Sequence, residues 1–260
     1  VSPLSEQTPT MDNPVFLGQK AFFLKRLRSL GFPVPLGFVL TTELFRHEDA
    51  IFRHPLMVRE LYEIIQGYIA WLEQHTGRQL GNPKRPLLLS VRSGTTFSMP
   101  GAMNTFLNVG MNDKIAERYS SQPGLAWGVW DCYRRLLQSW GMSQGIERDA
   151  FDRLMQAFKS AEGVEDKAQF SPAQMRELAN EYRALLAQRG VDFEQDPFLQ
   201  LVGAVRSVLS SWSSHRTKVY RERMEIADEW GTAVIVQRMV FGNINARSGS
   251  GVVFTRDQGD

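Results

Sequence analysis

A segment around Arg92 contains the residue types that hold phosphate groups in proteins. Arg92 follows a buried-looking apolar run at residues 87–91 and precedes a loop rich in hydroxyl groups and glycine. The loop carries Ser93, Thr95, Thr96 and Ser98, together with Gly94 and Gly101. A guanidinium group pairs with phosphate oxygens, while hydroxyl and backbone N–H groups supply further donors. The segment therefore predicts an anion site at the end of a strand. The alternative is a polar surface loop with Arg92 in a salt bridge.

Two other segments could add contacts to phosphate. Lys20 follows Gly18 and precedes a predicted helix over residues 21–30, so its ammonium group would lie near the N-terminal, positive end of that helix dipole. A solvated surface lysine is the alternative. The second segment is a Gly/Ser turn that comprises Ser248, Gly249, Ser250 and Gly251. It could cover phosphate groups, and the alternative is an ordinary link between two strands of a hairpin.

Both strands and helices are predicted to position these residues. Apolar runs predict strands at residues 38–40, 87–91, 232–241 and 251–255, of which 232–241 is apolar on both faces and therefore central. Helical spacing predicts helices over residues 21–30 and 61–77, with Phe23, Leu27 and Leu30 as the apolar stripe of the first. Between residues 113 and 213 only helices are predicted, one of them opening with a capping box at Ser171 and Gln174. This order predicts an α+β fold with a helical insertion.

Composition excludes several classes of protein. In 260 residues, 43% are hydrophobic, 22% are charged and the formal net charge is +2, which favours a globular protein over a disordered or nucleic-acid-binding one. No apolar run reaches the roughly 18 residues of a membrane span, and no signal peptide is visible. The single cysteine, Cys132, lies among large apolar residues and is expected to be a buried thiol. We therefore expect a cytoplasmic protein that binds neither nucleic acid nor a membrane. The histidines form no ligand pair, so no metal ligand is predicted.

Longer motifs resemble one known family. SVRSG at residues 90–94 is followed by SMPGAMNTFLNVGMND at 98–113, and further motifs are WGTAVIVQRMVFGN at 230–243 and SGSGVVFTR at 248–256. These segments resemble, nearly colinearly from residue 17 to 256, the N-terminal nucleotide-binding domain of pyruvate, phosphate dikinase. The resemblance implies an ATP-grasp fold, in which ATP lies between two α+β subdomains. It divides the chain into an arm (1–15), a first subdomain (16–112), the helical insertion (113–213) and return strands that begin a second subdomain (214–260).

The resemblance also implies an activity and residue roles. In this family the complete enzyme, a dimer, converts ATP, phosphate and pyruvate to AMP, diphosphate and phosphoenolpyruvate through a phosphohistidine on a separate domain. Lys20 and Arg92 match the residues that hold the ATP phosphates and would be the catalytic ones. The strand that borders adenine would include Gln237, Met239 and Val240, while Ser248, Gly249 and Gly251 would lie near the phosphates. With Ser93, Thr96 and Gly101 from the loop after Arg92, these form the expected ATP or AMP site.

The chain also departs from the family pattern. Gly18-Gln-Lys-Ala21 stands where the family has GGKG, and the family's continuation after Arg256 is absent. The residues that would hold Mg²⁺ are expected beyond this chain, which we therefore interpret as a C-terminally incomplete domain, inactive and weak in ATP binding by itself. Two alternatives remain, namely a related phosphotransferase with another acceptor and a non-catalytic nucleotide-binding or interaction domain.

Overall fold

The computed structural model describes residues 1–6, 12–242 and 247–253 of the chain. The strands in that part are β1 (Ser2–Pro3), β2 (Gly37–Leu40), β3 (Leu89–Gly94), β4 (Thr105–Val109) and β5 (Ala233–Arg238). The α-helices are α1 (Pro14–Ser29), α2 (Thr42–Arg46), α3 (Glu48–Arg53), α4 (Pro55–Thr76), α5 (Asp113–Ser120), α6 (Ala126–Ser143), α7 (Arg148–Glu162), α8 (Pro172–Gln188), α9 (Pro197–Ser210) and α10 (His215–Arg223). The mixed α+β class predicted from the sequence is confirmed.

The strands form one antiparallel sheet in the order β1-β2-β5-β3-β4. As its apolar sequence predicts, β5 is central, although it ends at Arg238 rather than at residue 241. In the register of the sheet, Arg92 on β3 lies between Ile235 on β5 and Thr105 on β4. Because the strands are antiparallel, the end of β3 lies beside the start of β5.

The two faces of the sheet are covered differently. Val234 and Val236 point into the main hydrophobic core, whereas Ile235 packs with Leu17 and Ala21 of α1 on the other face. Side chains alternate between faces along a strand. Arg92, which lies opposite Ile235, is therefore on the face that α1 partly covers.

The helical block shares its core with the sheet. Residues 113–213 are all described and contain no strand, as predicted. Their buried side chains, among them Tyr133, Leu178 and Leu201, belong to the same cluster as Phe106 of β4. The capping box at the start of α8 is confirmed. One buried apolar cluster thus joins the block to the sheet, and Cys132 is buried in it, as expected.

The N-terminal residues are more ordered than the predicted loose arm. Ser2 and Pro3 pair with β2, and Leu4 is 1% exposed. The buried Lys25 donates to Ser2 Oγ at 2.8 Å and forms an ion pair with Asp12 at 2.5 Å. These contacts hold residues 2–4 against the sheet. Ser2 and Pro3 pair with β2, and the Ser2 hydroxyl accepts a hydrogen bond from the buried ammonium group of Lys25.

The first helix differs from its prediction in length and orientation. It begins at Pro14, after an Asn13 N-cap, and has a non-helical backbone at Gly18. The stripe formed by Phe23, Leu27 and Leu30 is exposed, not buried. The reason is that α1 packs on the sheet through Leu17 and Ala21, which turns that stripe away from the core.

The last predicted strand is not present where the chain is described. Residues 251–253 form no strand, and Val252 and Val253 are exposed. Residues 254 and 255 lie outside the described residues. Among the described helices, none combines the length and apolar character needed to cross a membrane.

Candidate functional site

A close crossing of two backbones brings Lys20 to the end of β3. Gly18, at φ 72° and ψ 159°, breaks the helical path of α1 and lies against Gly94. Just after the crossing, the backbone N–H of Gln19 donates to the Thr95 carbonyl oxygen at 3.0 Å. Lys20 thus lies at the start of the second part of α1, not before the helix as the sequence suggested. Its side chain remains near the loop that follows Arg92.

A cleft of about 400 Å³ lies at this end of the sheet. It is lined by Gln19, Lys20, Phe23, Ser93, Thr95, Phe97, Ser98, Met99, Pro100, Gly101, Met103 and Thr105. The structure therefore brings together Lys20, Ser93 and Gly101 from the expected set. Thr96 is not among the lining residues. Arg92 lies between Thr105 and Ile235 on the adjoining strand face. We call this space the first cleft.

The two expected phosphate ligands are cations that repel each other. Partial burial and then the charge of Arg92 lower the pKa of Lys20 below its ordinary value. Burial lowers the pKa of Arg92 as well. In the part of the chain that the structure describes, neither side chain forms an ion pair with a carboxylate, and the buried Nε of Arg92 has no hydrogen-bond partner. The alternative of a structural salt bridge at Arg92 is therefore not seen there.

Two of the three expected adenine-border residues, Met239 and Val240, lie around another space, and Gln237 does not. Met239 and Val240 line a second cleft of about 320 Å³ beyond the end of β5. Gly249 lies close to Gly242 beside it, since a Cβ on Gly242 would be 2.8 Å from the carbonyl carbon of Gly249. The buried Gln237 donates from Nε2 to the Pro35 carbonyl oxygen at 3.0 Å. The 248–251 turn, which includes Ser248 and Gly251, thus lies near the second cleft through Ser250, and none of its residues lines the cleft beside Lys20.

The two clefts adjoin neighbouring positions of β4, the strand at one edge of the sheet. Thr105 lines the first cleft and Leu107 lines the second. Residues two apart in a strand lie roughly 7 Å apart, so the clefts form two ends of one strip along β4, and the second end is also lined by Asn108 and by residues of α6. The expected site residues are therefore divided between the ends of that strip, with Lys20 at one and Met239 at the other.

Sequence reasoning missed several residues that line these clefts. The apolar runs in the sequence predict no strand over Thr105–Val109, although Thr105, Phe106 and Val109 are of residue types that favour strands. Phe97 stacks on Trp230 with ring centroids 5.0 Å apart, a contact that no local pattern indicates. The second cleft is also lined by Asn108, Trp127, Asp131, Arg135 and Lys167. Across residues 1–6, 12–242 and 247–253, no group of three or more His, Cys, Asp or Glu side chains is arranged to hold a metal ion.

Comparison with known proteins identifies the family. Residues 48–260 match the family model described as pyruvate phosphate dikinase, AMP/ATP-binding domain. This chain belongs to that family. It is 38% identical over 244 residues to pyruvate, phosphate dikinase of Clostridium symbiosum, and 39% identical over 256 residues to the chloroplastic pyruvate, phosphate dikinase 1 of Zea mays. The alignments cover 93% and 97% of this chain.

The same relatives are much longer than this chain. The alignments cover 28% of the Clostridium symbiosum protein and 26% of the Zea mays protein. A third relative, pyruvate, phosphate dikinase of Giardia intestinalis, is 37% identical over 242 residues, with 92% of this chain and 27% of its own length aligned. The chain thus corresponds to the AMP/ATP-binding domain of this family and spans about a quarter of the length of these relatives.

Proposed function

We propose that this domain binds ATP with its phosphate groups in the first cleft, between Lys20 and Arg92. The proposal rests on one observation. Two partly buried cations lie close together, and neither forms an ion pair with a carboxylate of the described residues. Burying like charges together is unfavourable, and a polyphosphate would offset that cost by placing negative charge between them. Ser93 adds a hydroxyl group and Gly101 adds accessible backbone in the same cleft, whereas the Thr95 hydroxyl donates a hydrogen bond to the Phe97 carbonyl oxygen.

The fold and residue roles extend this proposal along the strip. Residues 16–112 would be the first ATP-grasp subdomain, 113–213 its helical insertion and 214–260 the start of the second subdomain. Adenine would lie near Met239 and Val240, beside the strand that carries Gln237. The proposal is supported by the strand β4, which both clefts adjoin. Thr96 and the 248–251 turn do not line the first cleft. They would contact the phosphates only if the nucleotide extended beyond that cleft.

In the whole protein, the domain would serve a pyruvate, phosphate dikinase reaction. Phosphoryl transfer depends chiefly on positioning and on stabilising developing negative charge. Lys20 and Arg92 would do this as positively charged clamps rather than as proton donors or acceptors. Mg²⁺, the phosphohistidine-bearing domain and the pyruvate site would be supplied outside the described residues, and the complete protein would be a homodimer.

The test is Arg92→Ala in the full-length protein that contains this chain. We expect ATP-dependent formation of phosphohistidine to be lost and ATP binding to weaken at least about tenfold, since a charge-assisted contact to phosphate is removed. Arg153→Ala, at an exposed position of α7, is the matched control and should bind ATP normally. Unchanged phosphohistidine formation in the folded Arg92→Ala protein would overturn the assignment.

A further inference from the structure

Helix α10 holds the loop that forms one wall of the first cleft. We call residues 98–103 the cleft loop. The hydroxyl of Tyr220 donates to the Ser98 carbonyl oxygen at 3.2 Å, and the buried hydroxyl of Thr217 donates to the Ala102 carbonyl oxygen at 3.0 Å. The two donors are three residues apart on α10 and therefore lie on the same side of the helix. One helix face thus holds the cleft loop at two of its carbonyl groups.

The helix is itself held in place by a buried arginine. Arg221 on α10 is 2% exposed, donates from Nε and Nη2 to the Asp228 carboxylate at 2.9 and 2.7 Å, and has its guanidinium 4.3 Å from the centre of the Trp212 ring. Nε1 of Trp212 donates to the Asp228 carbonyl oxygen at 2.9 Å. The Trp212 ring also packs in one apolar cluster with the Met99 and Met103 side chains of the cleft loop. These contacts make α10 and the adjoining side of the cleft loop one packed unit.

The two carbonyl contacts determine where the next amide groups point. In a trans peptide the C=O of one residue and the N–H of the next point in opposite directions, and both peptides are trans. Since the Ser98 and Ala102 carbonyl groups point towards α10, the N–H groups of Met99 and Met103 point away from it. Neither of these N–H groups donates a hydrogen bond to any described residue. Both residues line the first cleft although their side chains pack against Trp212, which leaves their backbone to face the cleft.

We propose that Thr217 and Tyr220 are positioning residues that turn the N–H groups of Met99 and Met103 towards the phosphates in the first cleft. This inference rests on the proposed function, because it needs phosphate groups in that cleft. Neither Thr217 nor Tyr220 lines the cleft, so both act through the cleft loop and not by touching the ligand. Backbone N–H groups that already point at an anion stabilise its charge without any rearrangement when it binds. The two N–H groups thus add directional donors to the charges of Lys20 and its neighbouring arginine.

The first experiment observes the two amide groups directly. Binding of inorganic tripolyphosphate to the full-length protein that contains this chain is measured by calorimetry, and amide hydrogen exchange is followed at single residues by mass spectrometry with and without this ligand. We expect saturating tripolyphosphate to slow exchange at Met99 and Met103 at least about tenfold, because a hydrogen-bonded N–H exchanges only after its bond opens. If tripolyphosphate binds and both amides exchange as before, the inference is wrong and the proposed function stands. If tripolyphosphate and ATP both fail to bind, the proposed function fails and this inference fails with it.

The second experiment removes the hydroxyl groups on α10. Thr217→Val and Tyr220→Phe keep the shape of each side chain, and Thr217→Ser keeps the hydroxyl. Nη2 of Arg216 also lies 3.4 Å from the Ala102 carbonyl oxygen and remains as a longer contact. We therefore expect each single variant to weaken tripolyphosphate binding only about three- to tenfold and the double variant to weaken it further. Thr217→Ser should bind as the wild type does. Tyr62→Phe, on α4 and outside the lining of both clefts, is the matched control.

Amide exchange separates positioning from a general loss of structure. In the folded Thr217→Val and Tyr220→Phe proteins, the protection that tripolyphosphate gives to Met99 and Met103 should decrease, while Tyr62→Phe should keep it. If both variants bind tripolyphosphate and protect these amides as the control does, the positioning role is wrong, whereas weaker binding by Arg92→Ala would still support the proposed function. The role is also wrong if Thr217→Ser binds no better than Thr217→Val, because the hydroxyl is then not the group that matters.

Discussion

The backbone of Gly18 lies directly against the backbone of Gly94. A Cβ atom placed on Gly18 would lie 2.2 Å from the Gly94 carbonyl oxygen, and one on Gly94 would lie 2.9 Å from the Leu17 carbonyl oxygen. Two segments that are far apart in the sequence can therefore approach only because neither residue has a side chain. This crossing places Lys20 next to the loop after Arg92, and the phosphate end of the strip depends on it.

Gly18→Ala should destabilise the protein and separate these segments. A side chain at φ 72° and ψ 159° is strained by about 1–3 kcal/mol, and the backbone contact adds an overlap that cannot relax easily. We expect unfolding free energy, measured by urea denaturation, to fall by more than about 3 kcal/mol. Gly31→Ala is the control, with φ 87° but no described atom within 4 Å of its Cβ, and should cost about 1–2 kcal/mol. Similar costs for both variants would contradict a role for the crossing.

The pKa of Lys20 should respond to the charge at position 92. Burial and then Arg92 lower this pKa, so Arg92→Met should raise it, although not to its ordinary value. Because only the protonated amine attracts phosphate strongly, ATP affinity should decrease as pH rises through the lowered pKa. Reaction of Lys20 with an amine-selective reagent, followed across pH by peptide mass spectrometry, measures the shift. The control Arg153→Met should leave the profile in place, and an identical profile for Arg92→Met would disprove the coupling.

Asp131 should stabilise the helical block as a buried ion cluster. It pairs with Arg134 at 2.8 Å, Arg135 at 2.9 Å and Lys167 at 3.0 Å. Asp131→Asn leaves these cations without their carboxylate, and we expect a loss of about 3–5 kcal/mol at neutral pH. Chemical denaturation measures this loss. Asp49→Asn, where the carboxylate is exposed, should cost less than about 1 kcal/mol.

The stability from Asp131 should depend on pH in a definite direction. Burial alone would raise the pKa of this carboxyl, but Arg134, Lys167 and Arg135 hold it below the ordinary 3.8. A depressed folded-state pKa gives stability that is complete above the unfolded pKa and is lost as pH falls through the folded one. The wild-type protein should therefore lose more stability than Asp131→Asn between about pH 4 and 2. Parallel curves for the two proteins would count against the ion cluster.

The capping box at α8 should make a smaller, local contribution. Ser171 Oγ accepts from the Gln174 backbone N–H at 3.2 Å, and the Ser171 N–H donates to Gln174 Oε1 at 2.7 Å. Ser171→Ala removes one of these bonds, and we expect a loss of about 1 kcal/mol in thermal or urea unfolding. Ser160→Ala, at an exposed position inside α7, should be neutral or slightly stabilising because alanine favours helix. Equal effects of the two changes would contradict the cap.

Local interactions made much of the secondary structure predictable. The cap of α8 and the stop of α4 at Gly77 are confirmed because both depend on residues within a few positions of each other. The central position of β5 was predictable because burial on both faces requires an apolar sequence. By contrast, β4 was missed, and the exposed stripe of α1 was expected to be buried, since the packing partner of an apolar residue is not specified locally.

The sequence by itself determined the family, the mixed fold class and the presence of a strand just before a loop rich in hydroxyl groups. The predicted end of that strand at residue 91 was wrong, because β3 continues to Gly94 and Arg92 lies within it. Only the tertiary structure decided which of these residues meet. Lys20 reaches the loop after Arg92 because Gly18 and Gly94 allow two backbones to cross. Met239 lies at the other end of the strip because β5 runs antiparallel to β3. Such contacts join residues distant in sequence, and their geometry depends on chain packing, which no local spacing encodes.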